Sequence, residues 1–210
     1  DYTQQLTTPL YVRNGINVRF INGTLTRANS FTDGPLIYIQ TDSRLELAPT
    51  CTLTNGNVST QYPVVNVQNG ELAINGGKII SDDYAVTSGG SDVTYIQYSG
   101  EVLGTIRNDY SAKYYIKGGI ANSVISSNDI DIWGEAEITD NVTIYKGAIA
   151  LHSSLKNTLR LGYHEIGKKV LYGYDFNVTK SDVEKMEIID NVNNYTLSLE
   201  NNAVYVREKQ

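Results

Sequence analysis

Apolar residues recur along this chain in short alternating runs, each closed by turn residues. Leu72-Ala73-Ile74-Asn75-Gly76-Gly77-Lys78-Ile79-Ile80-Ser81 reads as a short strand, a glycine corner and a second short strand. Earlier, Pro9-Leu10-Tyr11-Val12 leads through Asn14-Gly15 to Ile16, Val18 and Phe20, then through Asn22-Gly23 to Leu25. Apolar and polar residues alternating over five positions mark a half-buried strand. Pro35-Leu36-Ile37-Tyr38-Ile39, then Leu45 and Leu47, then Leu53 repeat the sequence of events, and Pro63-Val64-Val65, Leu72, Ile74 and Ile79 repeat it again. The openings at Pro9, Pro35 and Pro63 are 26 and 28 residues apart, and the third-strand residues Leu25, Leu53 and Ile79 are 28 and 26 apart. Two independent landmarks with one period identify a repeat.

Three strands of about 4–5 residues, rising roughly 3.3 Å per residue and joined by tight corners, fill such a period. The period therefore predicts a parallel β-helix. A helical solenoid is excluded because no 3.6-residue apolar pattern runs between Leu10 and Ile106, and the fixed Leu-x-Leu-x-x-Asn register of leucine-rich repeats is missing. From Tyr84 the register loosens. Tyr84-Ala85-Val86, Val93 and Tyr95, and Ser99-Gly100-Glu101-Val102 make a fourth circuit; a fifth opens at Tyr114-Tyr115-Ile116, with Gly118-Gly119-Ile120-Ala121-Asn122 fitting poorly. Ile130, Ile132 and Ile138, then Val142-Thr143-Ile144 and Ala148-Ile149-Ala150-Leu151, are the last strands of this kind.

After about residue 158 the pattern changes. Ser181-Asp182-Val183-Glu184 has the form of a capping box opening a short helix, with Val183 and Met186 on one face. Tyr195 to Leu199 and Ala203 to Val206 form a hairpin around Asn201-Asn202. The expected organisation is a β-helix over 1–157 and a capping region over 158–210, which covers the strand edges and core of the last circuit.

Composition supports the all-β reading. The 20 Asn and 18 Gly supply corners with positive φ, and the 16 Tyr suit pleated, half-buried surfaces. A hydrophobic share of 40% with 19% charged residues is that of a folded chain, not a disordered one. The net charge of −6, with no Lys/Arg run, argues against nucleic acid or an anionic membrane surface as partner. No apolar run approaches the roughly 20 residues that span a bilayer. One cysteine, Cys51, excludes an internal disulfide and reads as a small core residue. The chain opens at Asp1 and its single Met, Met186, is internal, as in a secreted protein after loss of a signal peptide or a chain trimmed at its start.

Chemistry is sparse. His152 and His164 lie 12 apart with no metal-ligand spacing, so packed or solvated imidazoles are expected and no metal or other cofactor. The serines lack a nucleophile-elbow setting, and no glycine loop precedes a helix to hold phosphate. Asn14, Asn22, Asn55, Asn69 and Asn75 fall at corners, where their amides bond turn backbone. The aromatic residues offer more: Tyr84, Tyr95, Tyr98, Tyr110, Tyr114 and Tyr115 crowd together, with Trp133 just beyond. Sugar C–H faces pack on such rings. Tyr95, Tyr98, Tyr114 and Trp133 are the candidate ligand-binding residues, expected on one exposed face; stacking of the tyrosines between circuits is the alternative.

The stretch from Gly15 to Leu151 resembles the right-handed, pectate-lyase-like parallel β-helix superfamily through its Asn-Gly corners and its Gly-Gly-Lys-Ile-Ile strand start. More narrowly, Val67 to Ser81, and the tail around Tyr195 to Val204, resemble β-helix surface proteins of gut bacteria of the Bacteroidales and Firmicutes type. The resemblance implies an extracellular or cell-surface module that binds polysaccharide or host glycan, or serves as an adhesion spacer. It also implies an alternative, a small polysaccharide lyase or glycoside hydrolase. In that reading Asp83, Asp109, Asp129 and Asp131 converge in one groove beside Arg107 or Lys113, whereas carboxylates at corners otherwise bond the local backbone.

Overall fold

The structure, a computed structural model of the chain, describes residues 2–162, 165–189 and 194–209. Strands dominate it, and the single helix among the described residues, α1 (Lys180–Glu184), is one turn long. Three ladders of parallel strands organise the rest. In the first sheet Leu10, Ile37, Val65, Val86, Ile106, Val124 and Val142 lie in successive register. In the second, Phe20, Leu47, Ile74, Gln97, Ile116, Ile132 and Leu151 do the same. In the third, Leu25, Leu53, Ile79, Val102, Ala121 and Ile138 follow one another. The chain visits the sheets in the same order each time, which is compatible with a parallel β-helix.

The core lies between the sheets. Ile37, Val65, Leu47, Ile74, Leu53 and Ile79 are all fully buried, and each such side chain contributes roughly 1.5–3 kcal/mol. Alternate residues turn outward along strands such as Ile37–Ile39 and Val65–Val67, which present one row to the core and one towards the surface.

The circuits shorten after the second and then level out. Steps along the first sheet are 27 and 28 residues up to Val65, then 21, 20, 18 and 18 up to Val142. The difference lies in the passage from third to first sheet. Residues 28–36 and 55–64 form long connections, but after Ile80 the chain crosses within the continuous strand Gly70–Ser88. Arg27 secures the first connection: its Nη1 donates to Phe31 and Gly34 carbonyls at 3.2 and 2.9 Å, and Nε donates to Asn55 Oδ1 at 3.0 Å. Asn55 in turn donates to the Tyr62 carbonyl of the second connection.

The shortening corrects the expected register. Tyr114 does not open a circuit; it sits in the second sheet opposite Tyr95. The first-sheet strand of that circuit contains Ile106, at the end of Val93–Asn108. Ile120 and Ala121 fit the third sheet opposite Glu101 and Val102. Their corner needs glycine: Gly119 has φ +79°, and a Cβ there would come within 2.4 Å of the Gly100 carbonyl oxygen.

Parallel pairing continues past residue 158. Leu161 pairs with Val142 and Ile188, and Leu171 pairs with Ile149. Tyr195–Glu200 and Ala203–Glu208 form the expected antiparallel hairpin, with Asn201 and Asn202 at φ 48° and 62°. Its second strand pairs antiparallel with Lys169–Gly173. The helix start differs from expectation by two residues. Thr179 is the N-cap and Asp182 completes the box, while Met186 lies in the strand Met186–Ile188. Asp182 is also tied to the tertiary structure, since its Oδ1 accepts the Leu155 N–H at 2.9 Å.

Candidate ligand-binding site

Two of the four aromatic candidates are not on the surface. Tyr95 is 0% and Tyr114 1% exposed, with ring centroids 5.0 Å apart. They continue the inward row of Leu45 and Leu72, so the pleat sends them into the core. Tyr95 donates its hydroxyl to Gln97 Oε1 at 2.8 Å, and Tyr114 to the Arg107 carbonyl at 3.1 Å. Burial pushes both phenols well up. The single exposed face expected for these tyrosines is thereby overturned.

Tyr98 and Trp133 do share an outer row. It follows the second-sheet ladder by one residue and reads Tyr98, Lys117, Trp133, His152, Tyr174. Lys117 Nζ stands 5.1 Å from the Tyr98 and Trp133 ring centroids alike. Trp133 stacks on His152 at 3.9 Å and 5°, and His152 meets Tyr174 at 4.9 Å. With Lys117 one circuit before it and His152 one circuit after, Trp133 has both faces occupied by its own chain. It is a member of a stack, and no sugar can lie flat on it.

The carboxylates divide among three places. Asp83 lies on the passage from third to first sheet, beside Ser81 and the 55–64 connection. Asp109 is gripped by Arg107, whose Nε lies 2.8 Å from both carboxylate oxygens, while Arg107 Nη1 donates to Tyr84 at 2.9 Å. Asp129 and Asp131, two residues apart at the start of a second-sheet strand, line one cleft. Of the groove expected for catalysis, only Asp129, Asp131 and Lys113 come together; Asp83, Asp109 and Arg107 lie outside the cleft lining.

The cleft has a volume of about 460 Å³ and is lined by Ser111, Lys113, Asn128, Asp129, Asp131 and Lys146. Asp129 is held firmly: Oδ1 accepts the Ala148 N–H at 2.8 Å and Oδ2 the Tyr172 hydroxyl at 3.2 Å. Gly147 permits this approach, since a Cβ there would stand 2.4 Å from Asp129 Oδ1. Asp131 Oδ1 lies 2.6 Å from His152 Nε2. Burial, then the charge of Asp129 and the bond to it, push the Tyr172 phenol up to about 12. Burial and the charge of Asp131 raise Tyr115 as well. Lys113 and Lys146 have no ion-pair partner among the described residues. Tyr110 and Tyr145, each 52% exposed, adjoin the lining residues Ser111 and Lys146.

Among the described residues no group of three His, Cys, Asp or Glu side chains could hold a metal ion. His152 packs within the aromatic row; His164 lies outside the described residues. Cys51 is buried, its Sγ donating to the Phe20 carbonyl at 2.7 Å. Sequence reasoning missed Asn128, Tyr145, Lys146 and Tyr172. For Asn128, Tyr145 and Lys146 a signal existed in the 18-residue step of the later circuits, which sets residues of successive corners side by side.

The chain was compared with models of known protein families, with curated proteins and with solved structures, and it matched none of them.

Proposed function

We propose that the chain is a non-catalytic, secreted or cell-surface module that binds extracellular polysaccharide or host glycan in the cleft around Asp129 and Asp131. In this reading the sheets form a right-handed β-helix of the pectate-lyase-like type, and residues 158–210 cover its end. The reading rests on one observation: a cleft with donors on Lys113, Lys146, Ser111 and Asn128 and acceptors on Asp129 and Asp131, two of whose lining residues are preceded in the chain by the exposed Tyr110 and Tyr145. A pyranose offers hydroxyls that donate and accept together with apolar C–H faces, and this combination answers both. Tyr110 and Tyr145 replace Trp133 as ring platforms. No cofactor takes part.

Glycan-array screening followed by affinity electrophoresis tests the proposal. Tyr110→Ala and Lys146→Ala each weaken binding about tenfold or more, equivalent to ~1.4 kcal/mol. Absence of binding to every polysaccharide tried would reject it.

A polysaccharide lyase or glycoside hydrolase is the second reading, favoured by two carboxylates in one cleft. Against it stand the hydrogen bonds that occupy both oxygens of Asp129 and the separation of Asp83, Asp109 and Arg107 from the cleft. Release of sugar ends from a polysaccharide panel, lost in Asp131→Asn, would decide for the enzyme.

A further inference from the structure

We draw no further inference here: the strongest candidate, the edge of the first circuit where Leu10, Tyr11, Ile16 and Ile21 stay exposed beside Leu10–Val12 and the first half of Asn17–Arg27, each paired on one side only, carries nothing because nothing in the structure shows what covers it.

Discussion

Tyr172 reaches back across two circuits of the chain to donate its hydroxyl to Asp129 at 3.2 Å. The bond joins the strand Lys169–Gly173 to the start of Ile130–Ile132, which are not neighbours in the sheet; the strand Ile149–Leu151 lies between them. Between them in the ladder stands the small residue Ala150, in register with Asp131 on one side and Tyr172 on the other.

The Tyr172 phenol, at about 12 against an ordinary value of 10, favours the neutral form in the fold. Its contribution to stability is therefore complete below pH 10 and is lost as pH rises from 10 towards 12. Ultraviolet titration of phenolate will show one tyrosine fewer in this high range for Tyr172→Phe. Asp129→Asn will bring the same group down. An unchanged titration in both variants would contradict the assigned contact.

Asp182 makes the opposite prediction. Burial alone would raise its carboxyl, but hydrogen bonds from the Thr179 hydroxyl and N–H and the Leu155 N–H outweigh burial and lower it. A depressed folded-state value gives stability that is present above the unfolded carboxylate value, about 3.9, and is lost as pH falls through the folded one. Asp182→Ala should cost roughly 2–3 kcal/mol at neutral pH. The difference from the native chain should shrink in acid, read from denaturant melts at two pH values.

Thr41 and Asp42 carry φ of 53° and 55° at an exposed corner. The corresponding corner of the preceding circuit uses Asn14-Gly15, at 65° and 71°. Left-handed backbone is costly for β-branched residues and free for glycine. Replacing the pair by Thr41→Asn with Asp42→Gly should stabilise the chain by about 1–2 kcal/mol. A raised urea midpoint at unchanged slope is the expected result.

The chain has one tryptophan, and it stacks on an imidazole. His152→Ala removes that contact and the hydrogen bond to Asp131. Trp133 emission should shift to longer wavelength as solvent reaches the ring, with a stability loss of about 1–2 kcal/mol. Unaltered emission would show the ring elsewhere.

The early circuits were legible because their corners and apolar rows are spelled without irregularity: Leu25, Leu53 and Ile79 stack as their spacing predicts. The later ones depart from that period because residues 28–36 and 55–64 lengthen only the early circuits. The correction was available locally. Gly77 to Gly100 is a step of 23, and the same step carries Leu72 to Tyr95, which places that tyrosine in the core. Gly100 to Gly119 is a step of 19, and it carries Tyr95 to Tyr114. The cleft was partly visible in Asp129, Asp131 and Lys113. Tyr172 was invisible, since its nearness depends on how many residues each intervening circuit consumes. The cap box showed a different limit: two overlapping motifs satisfied the local rule, and Asp182 of the one that forms is also tied to a distant N–H on Leu155.

The equal steps from Ile106 to Val124 to Val142 make the middle of the molecule modular in length. Excising a span equal to that step, residues 106–123, removes Tyr114 and Lys117 together and leaves the flanking rows in phase. Tyr98 then becomes the neighbour of Trp133. The sequence of chemical groups met along the outer surface is thus an inventory of circuits, and it can be reordered by cutting whole ones while the sheets beneath keep their pairing.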